Sequence, residues 1–321
     1  MIKFTIAIPA YKKKYLFEAI ESCLDQTYKN FELVIVDDAS PEDLKSVVDK
    51  FKDDRIKYYR NEKNCGAEHV VDNWNKCLNY AKGEYIICMG DDDKLKSNCL
   101  EEYDKLIRLY PKLNVYHAWT EIIDENGDVA AMQEPRPLYE SAYSMLYNRF
   151  RFDRLQYIGD WLLNVKNLKE HGGFYDLPFA WGSDDMSAFV AALDKGIANS
   201  QVPLFQYRIS RYTITNTGHN EKKIFALEQM EKGLMSMLSN CDVQQSLDNI
   251  YCKLLKSYCH KYIKDRIIGQ LINYFKDEGS VKDLFNFHKV WYNHLSFSQV
   301  LVAFWRGNNR KIKSKLCKKS F

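Results

Sequence analysis

Short β-rich runs alternate with amphipathic helical ones over the first 94 residues, and this alternation restricts the chain to an α/β fold with a mainly parallel sheet flanked by helices. The strand-like runs are Phe4 to Pro9, Glu32 to Asp37, Ile56 to Arg60 and Glu84 to Met89. Between them, Leu16, Ala19, Ile20, Cys23 and Leu24 recur at helical spacing, as do Leu44, Val47, Val48 and Phe51 and then Val70, Val71, Trp74, Leu78 and Ala81. The order is Rossmann-like: strand, helix, strand, helix, strand, helix, strand.

After Lys94 the pattern predicts a helix from Cys99 to Tyr110, a strand from Val115 to Ile123, a turn at Asp124-Glu125-Asn126-Gly127 and a helix from Asp184 to Lys195. From Glu221 onward strand patterns vanish. Leu227, Leu234 and Leu238, then Leu247, Ile250, Leu254 and Tyr258, then Ile267, Ile268, Leu271, Ile272 and Phe275 fit helices with one apolar face. The expected organisation is an α/β domain over 1–220, divided into halves at 1–95 and 96–220, followed by a helical extension over 221–321.

Composition narrows the function. A net charge of +3 is too small to argue for nucleic acid as a partner. The nine cysteines contain no Cys-x-x-Cys pair, and Cys23, Cys77 and Cys88 fall in apolar runs, so they read as buried thiols of a reducing cytoplasm. The start of the chain lacks a secretory pattern, and no apolar run reaches the length of roughly 18 residues that a membrane span needs. Positive charge accumulates at the end, where Phe297, Val300, Leu301, Val302, Phe304 and Trp305 precede Arg306, Arg310, Lys311, Lys313, Lys315, Lys318 and Lys319. Such a segment suits either a solvated tail after a core helix or peripheral contact with anionic lipid at the inner face of the cell membrane.

Ligands of open parallel sheets bind beyond the carboxyl ends of the strands. Two acidic clusters fall there, Asp37-Asp38 and Asp91-Asp92-Asp93. Adjacent carboxylates at the tip of a strand as apolar as Tyr85 to Met89 repel one another unless a cation or hydrogen-bond donors are at hand. Mg2+ or Mn2+ would answer that need, since both take carboxylates together with substrate phosphates. A solvated loop with helix-capping carboxylates is the plainer alternative. Neither a dinucleotide fingerprint nor a P-loop follows any strand.

The whole order resembles the family 2 glycosyltransferases of GT-A fold. The resemblance is carried by Phe4 to Tyr11, Glu18 to Ser22, Gln26 to Ser40, Asn64-Cys65-Gly66, Ala81 to Ile86 and Gly172-Gly173-Phe174-Tyr175, and covers roughly residues 1 to 215. It implies a nucleotide-binding half over 1–95, an acceptor-binding half over 96–220 and an inverting transfer from a nucleoside-diphosphate sugar, with UDP as the nucleotide. Pro9, Tyr11, Asp38, Asn64 and Asp91 would bind the nucleotide, and Asp92 and Asp93 a divalent metal. Where the family has Asp-x-Asp, Gly90 stands at the first Asp. Asp185 matches the family's base, Asp184 replaces its usual Glu, and Trp181 would stack on the acceptor, a glycan or lipid-linked glycan. Ser183 reads as the N-cap of that helix. The family's Tyr-Arg-x-His appears as Tyr207-Arg208-Ile209-Ser210, and Arg208, Arg211 or His219 could replace the missing His. A non-catalytic binder of nucleotide sugars or glycans on the same fold is the alternative. A nucleotidyltransferase would need a Gly- and Arg-rich first loop, which Pro9 to Lys14 does not supply.

Overall fold

The computed structural model describes residues 3–210, 220–239, 246–277, 279–291 and 294–317. Its strands are β1 (Phe4–Ala10), β2 (Phe31–Asp37), β3 (Ile56–Arg60), β4 (Tyr85–Cys88), β5 (Lys94–Leu95), β6 (Val115–Ile123), β7 (Val129–Met132), β8 (Tyr139–Glu140), β9 (Trp161–Asn164) and β10 (Ile197–Arg208). The helices are α1 (Leu16–Leu24), α2 (Lys45–Val48), α3 (Val70–Tyr80), α4 (Cys99–Leu109), α5 (Ala142–Phe150), α6 (Val165–Glu170), α7 (Ser183–Ala192), α8 (Asn220–Ser239), α9 (Ser246–Asp277), α10 (Val281–Trp291) and α11 (Phe297–Cys317).

One sheet takes all the strands, in the order β3-β2-β1-β4-β9-β6-β10-β5, with β7 beside β6 and β8 beside β10. The first half is parallel as expected, β1 pairing with both β2 and β4, and β2 with β3. Beyond it the sheet is mixed. β9 runs antiparallel between β4 and β6, while β10 returns parallel to β6. The sequence reading missed β9, because Trp161–Asn164 is too short for alternation to show.

Successive side chains of a strand point to opposite faces, so a strand covered on both sides must be apolar throughout. Ala7, Val34, Val36, Ile86 and Cys88 join one core cluster with residues of α3, whereas Ile6, Ile8, Leu33, Ile35 and Ile87 join another with α1 and α4. The turn before β4 shows why glycine stands there. A Cβ on Gly83 would lie 2.6 Å from the Thr5 backbone nitrogen, and the Gly83 amide donates to Thr5 Oγ1 at 3.0 Å. Glu32 supports the same corner, its buried Oε1 accepting from Thr5 Oγ1 and from the Lys82 amide.

The helical region after residue 220 packs onto the sheet. The cluster that holds Ala7 and Ile86 continues through Leu227, Met230 and Leu234 of α8 to Ile267 of α9 and Val300 of α11. The second and third apolar runs of the sequence merge into one long helix, α9, since no Gly-Pro stop lies between them. The second crossover shrinks to the single turn α2.

Candidate active site

The carboxyl ends of β1, β2 and β4 meet at the acidic run. Asp91 is buried, and its Oδ2 accepts from the backbone amides of Tyr11 at 2.7 Å and Lys12 at 2.6 Å, in the loop that leaves β1. Burial, and secondarily the Asp92 charge, pushes its carboxyl up to about 6. Asp93 is also buried. Its Oδ1 accepts from the Arg208 amide at 3.0 Å and its Oδ2 from the Gly90 amide at 3.2 Å, and burial followed by the charges of Asp92 and Asp91 holds it well above the usual carboxylate range.

Asp92 stands between them, half-buried, and no neighbouring residue among those described donates a hydrogen bond to its carboxylate. Its carboxyl is raised too, by burial, against the lowering pull of the Lys12 and Arg208 charges. These carboxylates are desolvated, crowded and short of positive charge. That donor set fits a hard divalent cation, with Asp92 the residue free to reach it.

Arg208, at the end of β10, is wholly buried and binds the loop from behind. Its Nε donates to the Asp92 carbonyl at 2.8 Å, one terminal nitrogen reaches the carbonyls of Asp124 and Glu125, and the other pairs with Glu18 of α1 at 2.8 Å. The guanidinium also lies 4.2 Å from the Tyr15 ring centroid. Its charge is thus spent on protein groups. Of the other stand-ins for the missing His, Arg211 and His219 lie outside the described residues.

Gly90 has a structural reason. A Cβ there would lie 2.8 Å from Asp93 Oδ2 and 2.9 Å from Asp92 Oδ1. The acidic run itself fills the space that a first Asp would use.

The other predicted nucleotide residues cluster around the ends of β1 and β2. Pro9 is half-buried in β1, and Tyr11 is 42% exposed, its carbonyl accepting from Ser40 Oγ at 2.6 Å. Asp38 Oδ1 accepts from Asn61 Nδ2 at 2.7 Å and from the Cys65 amide at 2.9 Å. Asn64 caps its own loop by accepting from the Gly66 amide. Asp37 is committed to the sheet, bonded to Ser40, Tyr58 and Arg60.

The second acidic pair opens α7. Asp185 is 1% exposed, and both its oxygens are 3.0 Å from Nε of Arg149 on α5. The side-chain amide of Gln156, with its oxygen and nitrogen exchanged to satisfy both neighbours, donates to the same carboxylate. Burial works against the Arg149 charge, yet the carboxylates of Asp185 and Asp184 leave its pKa raised. Asp184 is half-buried, Oδ1 accepting from the Asp185 amide at 2.9 Å; burial and the Asp185 charge push its carboxyl up to about 7. Tyr157 stacks on Tyr207 with ring centroids 3.8 Å apart, and burial, followed by the Tyr207 and Asp160 charges, raises its phenol.

Ser183 differs from expectation. Gly182, at φ 99°, takes the cap position, and Ser183 Oγ accepts from the Leu177 amide instead, at 3.2 Å. Trp181 is half-buried, with Lys223 Nζ 4.8 Å and the Arg266 guanidinium 5.1 Å from its ring. Arg149 and Gln156 were missed by the sequence reading. They sit far from Asp185 along the chain, and no local pattern marks them.

A parallel half with carboxylates at its strand ends, joined to a mixed half with a second acidic pair, has the architecture of a GT-A glycosyltransferase domain. Residues 5–164 match the sequence model of glycosyl transferase family 2, and the chain belongs to that family.

Among curated relatives, the GalNAc(5)-diNAcBac-PP-undecaprenol beta-1,3-glucosyltransferase of Campylobacter jejuni is 37% identical over 31% of this chain and 33% of its own. The UDP-Glc:alpha-D-GlcNAc-diphosphoundecaprenol beta-1,3-glucosyltransferase WfaP of Escherichia coli is 40% identical over 28% of this chain. These matches span about a third of each relative's length (33% and 35%). An uncharacterised glycosyltransferase of Rickettsia typhi is 24% identical over 87% of this chain and 81% of its own. The solved structure of S. aureus TarS 1-349 with UDP-GlcNAc superposes at a TM-score of 0.66, with 15% identity, over 96% of this chain and 92% of that one.

Proposed function

We propose that the chain transfers a sugar from a nucleoside-diphosphate sugar, with UDP as nucleotide, to a hydroxyl of a glycan or lipid-linked glycan in cell-surface polysaccharide synthesis. The observation that carries this reading is the acidic run: crowded, desolvated carboxylates at strand ends, with Asp92 unpartnered by its neighbours. Names of relatives that act on undecaprenol-diphosphate-linked acceptors support the acceptor class.

In this reading Pro9, Tyr11, Asp38 and Asn64 border the base and ribose, and Asp91 ties the β1 loop to the metal side. Asp92, assisted by Asp93, would hold Mn2+ or Mg2+. Such an ion neutralises the diphosphate and the charge that grows on it as it leaves. Trp181, covered on its faces by Lys223 and Arg266, borders the acceptor.

The acceptor hydroxyl gives its proton to the Asp184–Asp185 pair, the resemblance assigning the base to Asp185. Arg149 holds Asp185 in place through both of its oxygens, and Asp184, whose carboxyl is raised by burial and by the Asp185 charge, shares the proton. Attack from the face opposite the diphosphate inverts the anomeric centre in a single displacement.

No helix among the described residues is long and apolar enough to cross a membrane. We place the enzyme in the cytoplasm, touching the inner face of the membrane through α11. Leu301, Val302 and Trp305 are exposed there, close in sequence to Arg306, Arg310 and Lys311, and the last lysines of the basic tail, Lys318 and Lys319, lie outside the described residues. Release of nucleoside diphosphate from a panel of nucleotide sugars with Mn2+ and lipid-linked acceptors tests the proposal. Turnover with a UDP-sugar is expected; none with any donor and acceptor would leave a non-catalytic binder as the reading.

A further inference from the structure

Far from the acidic run, two glutamates and two histidines converge where α8, α9 and the turn before α11 meet. Glu228 and Glu231 are a helical turn apart on α8, His260 lies on α9, and His294 precedes α11. His260 Nδ1 is 3.2 Å from Glu231 Oε1, and His294 Nε2 is 3.0 Å from Glu228 Oε1. One ligand atom from each of Glu231, His260 and His294 can be chosen so that all lie within 4.8 Å of one another.

The contacts single out one nitrogen. His294 Nε2 lies 3.0 Å from Glu228 Oε1, so the tautomer protonated on Nε2 turns the lone pair of Nδ1 toward Glu231. Nδ1 is buried and has no hydrogen-bond partner, although Glu231 Oε2 faces it at 3.8 Å. That gap is too long for a hydrogen bond. A lone pair facing a carboxylate oxygen in a buried site is unfavourable for both, and a proton or a metal ion between them relieves it. Atoms that share one zinc ion are separated by about 3.3–3.4 Å at tetrahedral angles. Here His260 Nδ1 lies 3.2 Å from one Glu231 oxygen and His294 Nδ1 3.8 Å from the other, and the three ligand atoms all fall within 4.8 Å of one another, so a small closure of the side chains brings them to that spacing.

We propose that Glu231, His260 and His294 bind a divalent transition-metal ion of the zinc type, with Glu228 as the carboxylate that orients His294. Mixed imidazole and carboxylate ligands suit zinc, and a histidine whose second nitrogen donates to a carboxylate is the usual support of such a site. The acidic run, with oxygen ligands alone, suits magnesium or manganese, so the two sites differ in the ion they prefer. The ion would pin α8 to α9 and to the start of α11. Met230, beside Glu231, is packed so closely on Gly182 that a Cβ there would lie 2.7 Å from its sulfur, so α8 fixed in this way also holds the start of α7.

Titration of the full chain, stripped of metal, with Co2+ tests the site, because four-coordinate Co2+ with nitrogen ligands absorbs strongly in the visible and octahedral oxygen sites only weakly. Stoichiometric uptake with strong bands is expected in the native chain and equally in Asp92→Asn, which removes the ligand at the acidic run. His260→Ala should abolish the bands, and Glu228→Gln should weaken binding by about 10–100-fold. His260 is 56% exposed, so its replacement leaves the fold intact and decides the matter even where His294→Ala does not fold. Absence of strong bands in the native chain, or bands that survive His260→Ala, would overturn the proposal.

Discussion

The two acidic groups of the site are held in opposite ways. The run at residues 91–93 is gripped by backbone amides of Tyr11, Lys12, Gly90 and Arg208, which orient the carboxylates but bring no net charge. Asp185 instead meets a guanidinium through both oxygens. One cluster is left wanting a cation and the other carries its own. Amide donors leave room for a cation to come and go, whereas a built-in arginine fixes the position of the carboxylate it pairs with.

The sharpest way to break this comparison is to remove the built-in cation. Arg149→Met leaves Asp185 buried without its partner, and chemical denaturation should show a loss of about 3–5 kcal/mol with transfer abolished. A variant of native stability would mean that the pair is not the support drawn here. Asp185→Asn should abolish transfer while leaving nucleotide binding in place, read by titration with UDP. Asp92→Asn should lower Mn2+-dependent transfer by roughly 10³-fold, worth several kcal/mol of transition-state stabilisation.

Asp184→Asn should cost about 10²-fold in kcat, at the low end for a proton acceptor. It should also remove the acid limb of the pH profile. Asp184 must be ionised to accept a proton, so with its carboxyl near 7 native activity climbs as pH rises through that value. An unaltered limb would move the titrating group elsewhere. The same carboxyl bears on stability with the reverse sense. Between its ordinary 3.8 and about 7 the folded chain holds a proton that the unfolded chain has released, so this group's contribution declines as pH rises through that window. The smallest effect is expected from Gly90→Asp, which restores the family's residue yet crowds Asp92 and Asp93; metal affinity should fall by about tenfold, since ligand geometry at such a site is strict.

The parallel half was legible because periodicity and burial coincide there: β1, β2 and β4 are buried, largely apolar runs, β2 closing on Asp37 and β4 followed closely by the acidic run, and the helices between repeat at the expected spacing. Asp38, Asp91 and Asp92 could be read from position alone, as strand ends are local features. What surrounds Asp185 could not. Arg149 comes from a separate helix, and Arg208, which the sequence reading offered as a replacement for the family's missing His, is turned inward to Glu18 and the Asp92 carbonyl. A side chain's partners depend on packing between distant elements, and that information is spread over the whole chain. Ser183 shows the same limit at short range, where Gly182 in a left-handed conformation displaced the expected cap.

The buried guanidinium of Arg208 has a thermodynamic meaning beyond its contacts. By fastening the loop after β4, the loop after β6 and the first crossover helix to one rigid group, it removes in advance the chain freedom that an incoming substrate would otherwise have to quench. More of a bound ligand's contact energy is then left over as affinity.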